Sequence, residues 1–125
     1  MNIHPLETCV FDHDDVEVRF AGHELLLERV LERFLQSTPA RLQGLRDALA
    51  EGDTGTAGAQ AHALKGSSAT VGGAEFSARA GLLEGAACAG ELAQARAHGE
   101  ALADAWARLQ GHLAGRADAA RTAAA

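Results

Sequence analysis

The sequence is short of the side chains on which most functional classes depend. Aromatic residues make up 4% of it and tyrosine is absent, so a core has to be built mainly from aliphatic side chains. Cysteine occurs only as Cys9 and Cys88, with no Cys-x-x-Cys spacing. That excludes a disulfide-stapled miniprotein and a zinc ribbon, and it suits a reducing cytoplasm. Basic residues number 11 against 17 acidic ones, for a formal net charge of -6, and they are scattered. A face that holds nucleic-acid phosphates needs clustered Lys and Arg, so no nucleic-acid partner is expected. No apolar run approaches the roughly 20 residues that cross a bilayer, and the N-terminus lacks the basic start and apolar stretch of a signal peptide. The chain therefore reads as soluble and cytoplasmic, with no membrane partner. No Glu stands three residues before a His, which removes the ligand pattern of a di-metal helical bundle. No Gly-rich phosphate loop or Walker-type motif is present, and no nucleophile stands with a base and an orienting acid.

What is there is helical. At 125 residues the chain fits one domain with one core. Alanine dominates its apolar residues, and these recur at intervals of three and four, with strand-like alternation nearly absent. Only Val16 to Phe20 briefly alternates; with Asp residues before it and Gly22 after it, the stretch reads as a short N-terminal helix. A first strong helix is expected from about His23 to Gln36, with Leu26, Leu27, Val30, Leu31, Phe34 and Leu35 as its apolar stripe. Thr38-Pro39 then reads as a break, Thr38 capping a second helix of about Pro39 to Glu51 that buries Leu42, Leu45, the Arg46 stem and Leu49. Asp53 caps a third helix that runs to about Val71, where Gly72-Gly73 stops it. A fourth spans about Ala74 to Cys88, and a last one Glu91 to about Leu113. Connections this short make neighbouring helices antiparallel. The expectation is an all-α, up-down-up-down four-helix bundle over residues 1–114 with a short N-terminal capping helix, followed by an Ala-rich tail over 115–125. A monomer is expected, since no further apolar stripe stands free.

The helix after Asp53 carries the chemistry. Ala57, Ala61, Leu64, Ser68 and Val71 fall on one stripe that suits a core, and His62 is not among them. Helical spacing puts His62 with Gly55, Gly58, Ala59, Gly66 and Ala69 on the opposite side, a surface almost bare of side chains. Each glycine inside a helix costs about 0.5–1 kcal/mol relative to alanine. Packing does not call for three of them, whereas a partner bringing its backbone onto His62 would need the clearance. Lys65, three residues on, reaches the same space and suits a phosphoryl oxygen.

Ala61-His62-Ala63-Leu64-Lys65-Gly66-Ser67-Ser68-Ala69-Thr70-Val71-Gly72 resembles the signature of histidine-phosphotransfer (HPt) domains: a histidine, then an apolar residue, Lys, Gly and small residues, closing on an apolar-Gly pair. Leu42 through Asp53 resembles the family's preceding helix, and Glu75 through Glu84 its following one; the layout extends over about Phe11 to Leu113. Gly73 departs from the family's more usual alanine. The resemblance implies that His62 is phosphorylated, that Lys65 is its electrostatic partner and Gly66 its clearance residue, and that Glu84 orients the imidazole. It also implies a carrier between receiver domains of a hybrid sensor kinase or a response regulator. The chain itself would hold no cofactor, with Mg2+ supplied by the receiver. Gly58, Ala59, Ser67 and Ala69 are the expected docking residues, and neither autokinase nor ATP-binding activity is expected.

Plainer readings stand beside these. A lone helical histidine is most often a surface residue, as His4, His13, His23, His98 and His112 are taken to be. Glu84 equally suits an exposed acid or a partner of Arg79 or Arg46. Ser67 and Ser68 are small packing residues in the ordinary case, and Gly81 and Gly85 either close-approach positions or tolerated ones. Asp12, Asp14, Asp15 and Glu17 read as a solvated acidic face without calcium-loop spacing. The rival function is a non-catalytic adaptor that binds a receiver or another regulator through the same smooth face.

Overall fold

The computed structural model describes residues 9–124, with side chains described through Arg116. Every regular element is a helix: α1 (His13–Arg19), α2 (Glu24–Glu51), α3 (Thr54–Thr70), α4 (Ala74–Cys88) and α5 (Leu92–Ala124). α2 packs on α3, α3 on α4 and α4 on α5, and α5 returns against α2 along a thinner contact. This is the four-helix bundle that the apolar spacing called for. His4 lies outside the described residues, and α5 continues through the segment read from sequence as a tail.

Local chemistry sets most helix ends. Asp12 rather than a residue near Val16 starts α1, its carboxylate accepting from Asp15 N at 3.1 Å. Asp53 caps α3 by accepting from Thr56 N at 3.0 Å and from the Thr56 hydroxyl at 2.6 Å. Those bonds, the hydroxyl's first, hold the Asp53 carboxyl below its ordinary value. Gly52 ends α2 in the left-handed conformation at φ 76°, a position L side chains rarely adopt.

One expected boundary is absent. α2 runs unbroken for 28 residues with Pro39 inside it, and Thr38 is no N-cap: its buried hydroxyl turns back to donate to Phe34 O at 2.6 Å. An interior proline costs about 3 kcal/mol. Leu27, Leu31, Phe34, Thr38, Leu42, Leu45 and Leu49 all lie on the buried face, in phase across position 39. Burying a leucine is worth about 1.5–3 kcal/mol, so keeping the downstream leucines in phase outweighs the proline. Pro39 itself faces solvent. Leu26, placed by sequence in the apolar stripe, is exposed, as are Leu25 and Val18, and Arg46 lies exposed rather than with its stem buried.

The core is centred on Phe34, Phe76 and Trp106, which meet edge-on with ring centroids 5.6–6.4 Å apart. Glu75, nearly buried in the first turn of α4, accepts from Arg108 Nε of α5 at 2.9 Å, and this bond raises the arginine's pKa. At the far end of α3 the chain turns through Gly72 at φ 79°, where Val16 of α1 packs into the space a Cβ would take. Asp12 N donates to Gly72 O at 2.8 Å and Glu75 N to Cys9 O at 2.9 Å, so the N-terminal segment is stitched across this turn. Phe11 is buried there and stacks on His112 of α5, its ring centroid 5.1 Å away.

Candidate functional site

α3 presents its two sides unequally. Ala57, Ala61, Leu64 and Ser68 are buried, together with Val71 just past its end. His62, at mid-helix, turns outward with 69% of its side chain exposed. Facing it from α4 is Glu84, whose side chain is 21% exposed and sits between two cationic or protonatable groups of α3. Its Oε2 lies 2.6 Å from His62 Nδ1 and its Oε1 accepts from Lys65 Nζ at 2.7 Å. Neither Arg79 nor Arg46 is Glu84's partner.

The electrostatics of this trio determine which imidazole nitrogen is free. Glu84's pKa is lowered, first by the Lys65 hydrogen bond and then, against a desolvation cost, by the one to His62. An ionised carboxylate only accepts, so the short contact makes His62 Nδ1 the protonated nitrogen, donating to Oε2. In the neutral ring the lone pair is then on Nε2, at the exposed edge away from Glu84. Lys65 is thus engaged with Glu84 rather than standing free beside the histidine.

The backbone beneath the trio is held from both sides. The Ser68 hydroxyl donates to Leu64 O at 2.6 Å and also lies 3.2 Å from Lys65 O. Ser77 of α4 donates to Lys65 O at 2.9 Å and so ties α4 to the turn of α3 that bears the lysine. Nothing in the sequence marks Ser77, which reads as one more small residue near an apolar stripe. Gly81 is among the residues the sequence leaves undecided: the stem of Lys65 passes over it, with Cδ 3.4 Å from where a Cβ at 81 would stand.

The residues expected around His62 divide. Ala59, Ser67 and Ala69 are exposed, and a Cβ added at Gly66 would meet nothing within 4 Å. Gly58 is different: it is buried and turned toward α4, where an added Cβ would touch Ala87 Cβ at 3.5 Å. With His62, Glu84 and Ala87 it lines a groove between α3 and α4. The helical wheel misplaces it because α3 consists of alanine, glycine and other small residues, so its two sides differ little in hydrophobicity. Among the described residues no group of three or more His, Cys, Asp or Glu is placed to hold a metal ion. No helix among them is long and apolar enough to cross a membrane.

A comparison with curated proteins and one with solved structures give no match. A family model described as the Hpt domain matches residues 29–112, well over half of the chain and most of all four bundle helices. The chain therefore belongs to the Hpt domain family, whose members perform histidine phosphotransfer in two-component signalling and engage receiver domains.

Proposed function

We propose that this chain is a phosphocarrier that relays a phosphoryl group between aspartates of receiver domains through Nε2 of His62. The observation that carries this reading is the Glu84 carboxylate on Nδ1, which leaves the Nε2 lone pair on an open surface. Attack by Nε2 on the phosphorus of an aspartyl phosphate forms the N–P bond as the acyl P–O bond breaks and the aspartate leaves as carboxylate. No proton has to depart, because Nδ1 keeps its hydrogen and Glu84 faces the positive charge that the ring acquires. Return of the group to a second aspartate reverses the same step, with carboxylates and Mg2+ supplied by the receiver. Lys65, whose Nζ rests on Glu84 Oε1, is the cation assigned to a phosphoryl oxygen once the group is on the ring, and the space over Gly66 admits the partner's backbone.

Incubating the full chain with phosphorylated receiver domains and Mg2+ tests this. Acid-labile, base-stable phosphate should appear on the wild type and be absent from His62→Gln, whose thermal stability should stay within about 0.5 kcal/mol of wild type because the side chain is exposed. A receiver that binds tightly but never transfers would replace the carrier with an adaptor.

A further inference from the structure

Gly81 lies within α4, where a glycine weakens a helix relative to alanine. Its φ is not positive and no turn begins there. Beyond its own helix, the only atom of the described residues within 4 Å of a Cβ at this position is Lys65 Cδ at 3.4 Å. Gly85, one turn further along, would meet nothing, so the lysine contact is particular to 81. From that crossing the Lys65 stem continues to Glu84, three residues further along α4, and ends on Oε1 at 2.7 Å.

We propose that Gly81 is a positioning residue: its missing side chain leaves the channel in which the Lys65 stem lies against α4, so that Lys65 holds Glu84 and Glu84 holds the Nδ1–H tautomer of His62. The functional consequence, though not the geometry, rests on the phosphocarrier reading. An alanine at 81 fits, since 3.4 Å is ordinary contact. A longer side chain occupies the channel and lifts the lysine away. Glu84 then loses one of the two hydrogen bonds that anchor its oxygens, and its carboxylate is free to rotate off the ring. An imidazole without a fixed acceptor on Nδ1 populates both tautomers, and in the Nε2–H form the reacting nitrogen has no lone pair.

The test uses the full chain labelled with 15N-histidine. In the wild type and in Gly81→Ala, the His62 ring nitrogens should report a single tautomer protonated at Nδ1. In Gly81→Leu and in Lys65→Met they should report a mixture, and adding Gly81→Leu to Lys65→Met should change nothing further. Phosphorylation by phosphoramidate, a donor too small to feel docking, should slow about two- to fivefold in Gly81→Leu with an altered pH profile, the factor set by the lost tautomer fraction. Should Gly81→Leu fail to fold, Lys65→Met read against Gly81→Ala still tests the coupling. A single unchanged tautomer in either Gly81→Leu or Lys65→Met overturns the proposal. Slowing confined to transfer from a phosphorylated receiver would instead make Gly81 a docking clearance. The tautomer reading requires no phosphate, so a wild type that accepts none counts against the carrier reading and leaves the role of Gly81 standing.

Discussion

Two parts of α3 use glycine in opposite ways. At its end, the space left by the missing side chains is filled by the protein itself: Val16 occupies the place of a Cβ at Gly72, and Leu109 Cδ2 comes within 2.8 Å of one at Gly73. At its middle, the space at Gly66 is left open. Both cost helix or chain entropy, but only the first is recovered within this fold. The two glutamates of α4 divide in the same way. Glu75 has one arginine partner and joins two helices, whereas Glu84 divides its oxygens between a lysine and a histidine that remains open to solvent. A helix in this bundle thus carries packing at one level and a surface kept free for another molecule at the next.

Substitution at the filled turn should have the largest effect. Gly72→Ala combines a left-handed backbone with a collision against Val16 and should destabilise by about 2–4 kcal/mol in chemical denaturation. A loss below about 0.5 kcal/mol would mean that the turn has slack and that the contrast is false. Next comes the open face. Gly66→Gln should keep or slightly raise its melting temperature while transfer from a phosphorylated receiver slows about 10- to 100-fold, as expected when the reacting groups are held apart. Gly66→Ala should raise stability by about 0.5–1 kcal/mol, since a better helix former enters empty space. Unaltered transfer in Gly66→Gln would leave that space without a purpose.

The smallest effect concerns Glu84 and acid. Its pKa is depressed in the folded chain, so the stability it contributes is present above the ordinary value of 4.5 and is lost as pH falls through the lower folded value. Thermal melts of wild type and Glu84→Gln should therefore differ slightly near neutral pH and converge as pH falls through the depressed carboxyl value. Because the trio is only partly buried, salt should narrow the difference further. A gap that widens in acid would reverse the assigned sign.

How far these features could be read in advance depended on the range of the interaction behind each. Asp53 as a cap, Gly52 and Gly72 as stops and the core stripe of α3 are set by neighbours within a turn, and the sequence carries them directly. The same local logic misled at Thr38-Pro39, where a dipeptide that ordinarily begins a helix lies inside one. The deciding term there is the phase of leucines on both sides of the proline, a property of the whole buried face. Gly58 was assigned to the wrong side because α3 has almost no large side chains to orient it. The choice of Lys65 over an arginine for Glu84 depends on how two helices face each other, which no single-helix pattern contains. The outward position of His62 was legible because helical spacing sets it off the core stripe of α3, among small residues.

The stitched N-terminal segment has a consequence for how the protein comes apart. Its main ties are two backbone hydrogen bonds, Asp12 N to Gly72 O and Glu75 N to Cys9 O, the burial of Phe11 and Val16, and the Arg19 guanidinium donating to Ala69 O at 3.1 Å. None of these is shared with the contact between α3 and α4. With so few ties, residues 9–20 are expected to open at a lower free energy than global unfolding, which native-state hydrogen exchange would read. Such an opening uncovers the turn at Gly72, ten residues along α3 from His62, and leaves Glu84 and Lys65 in place. His62 thus stands apart from the segment with the fewest ties to the bundle.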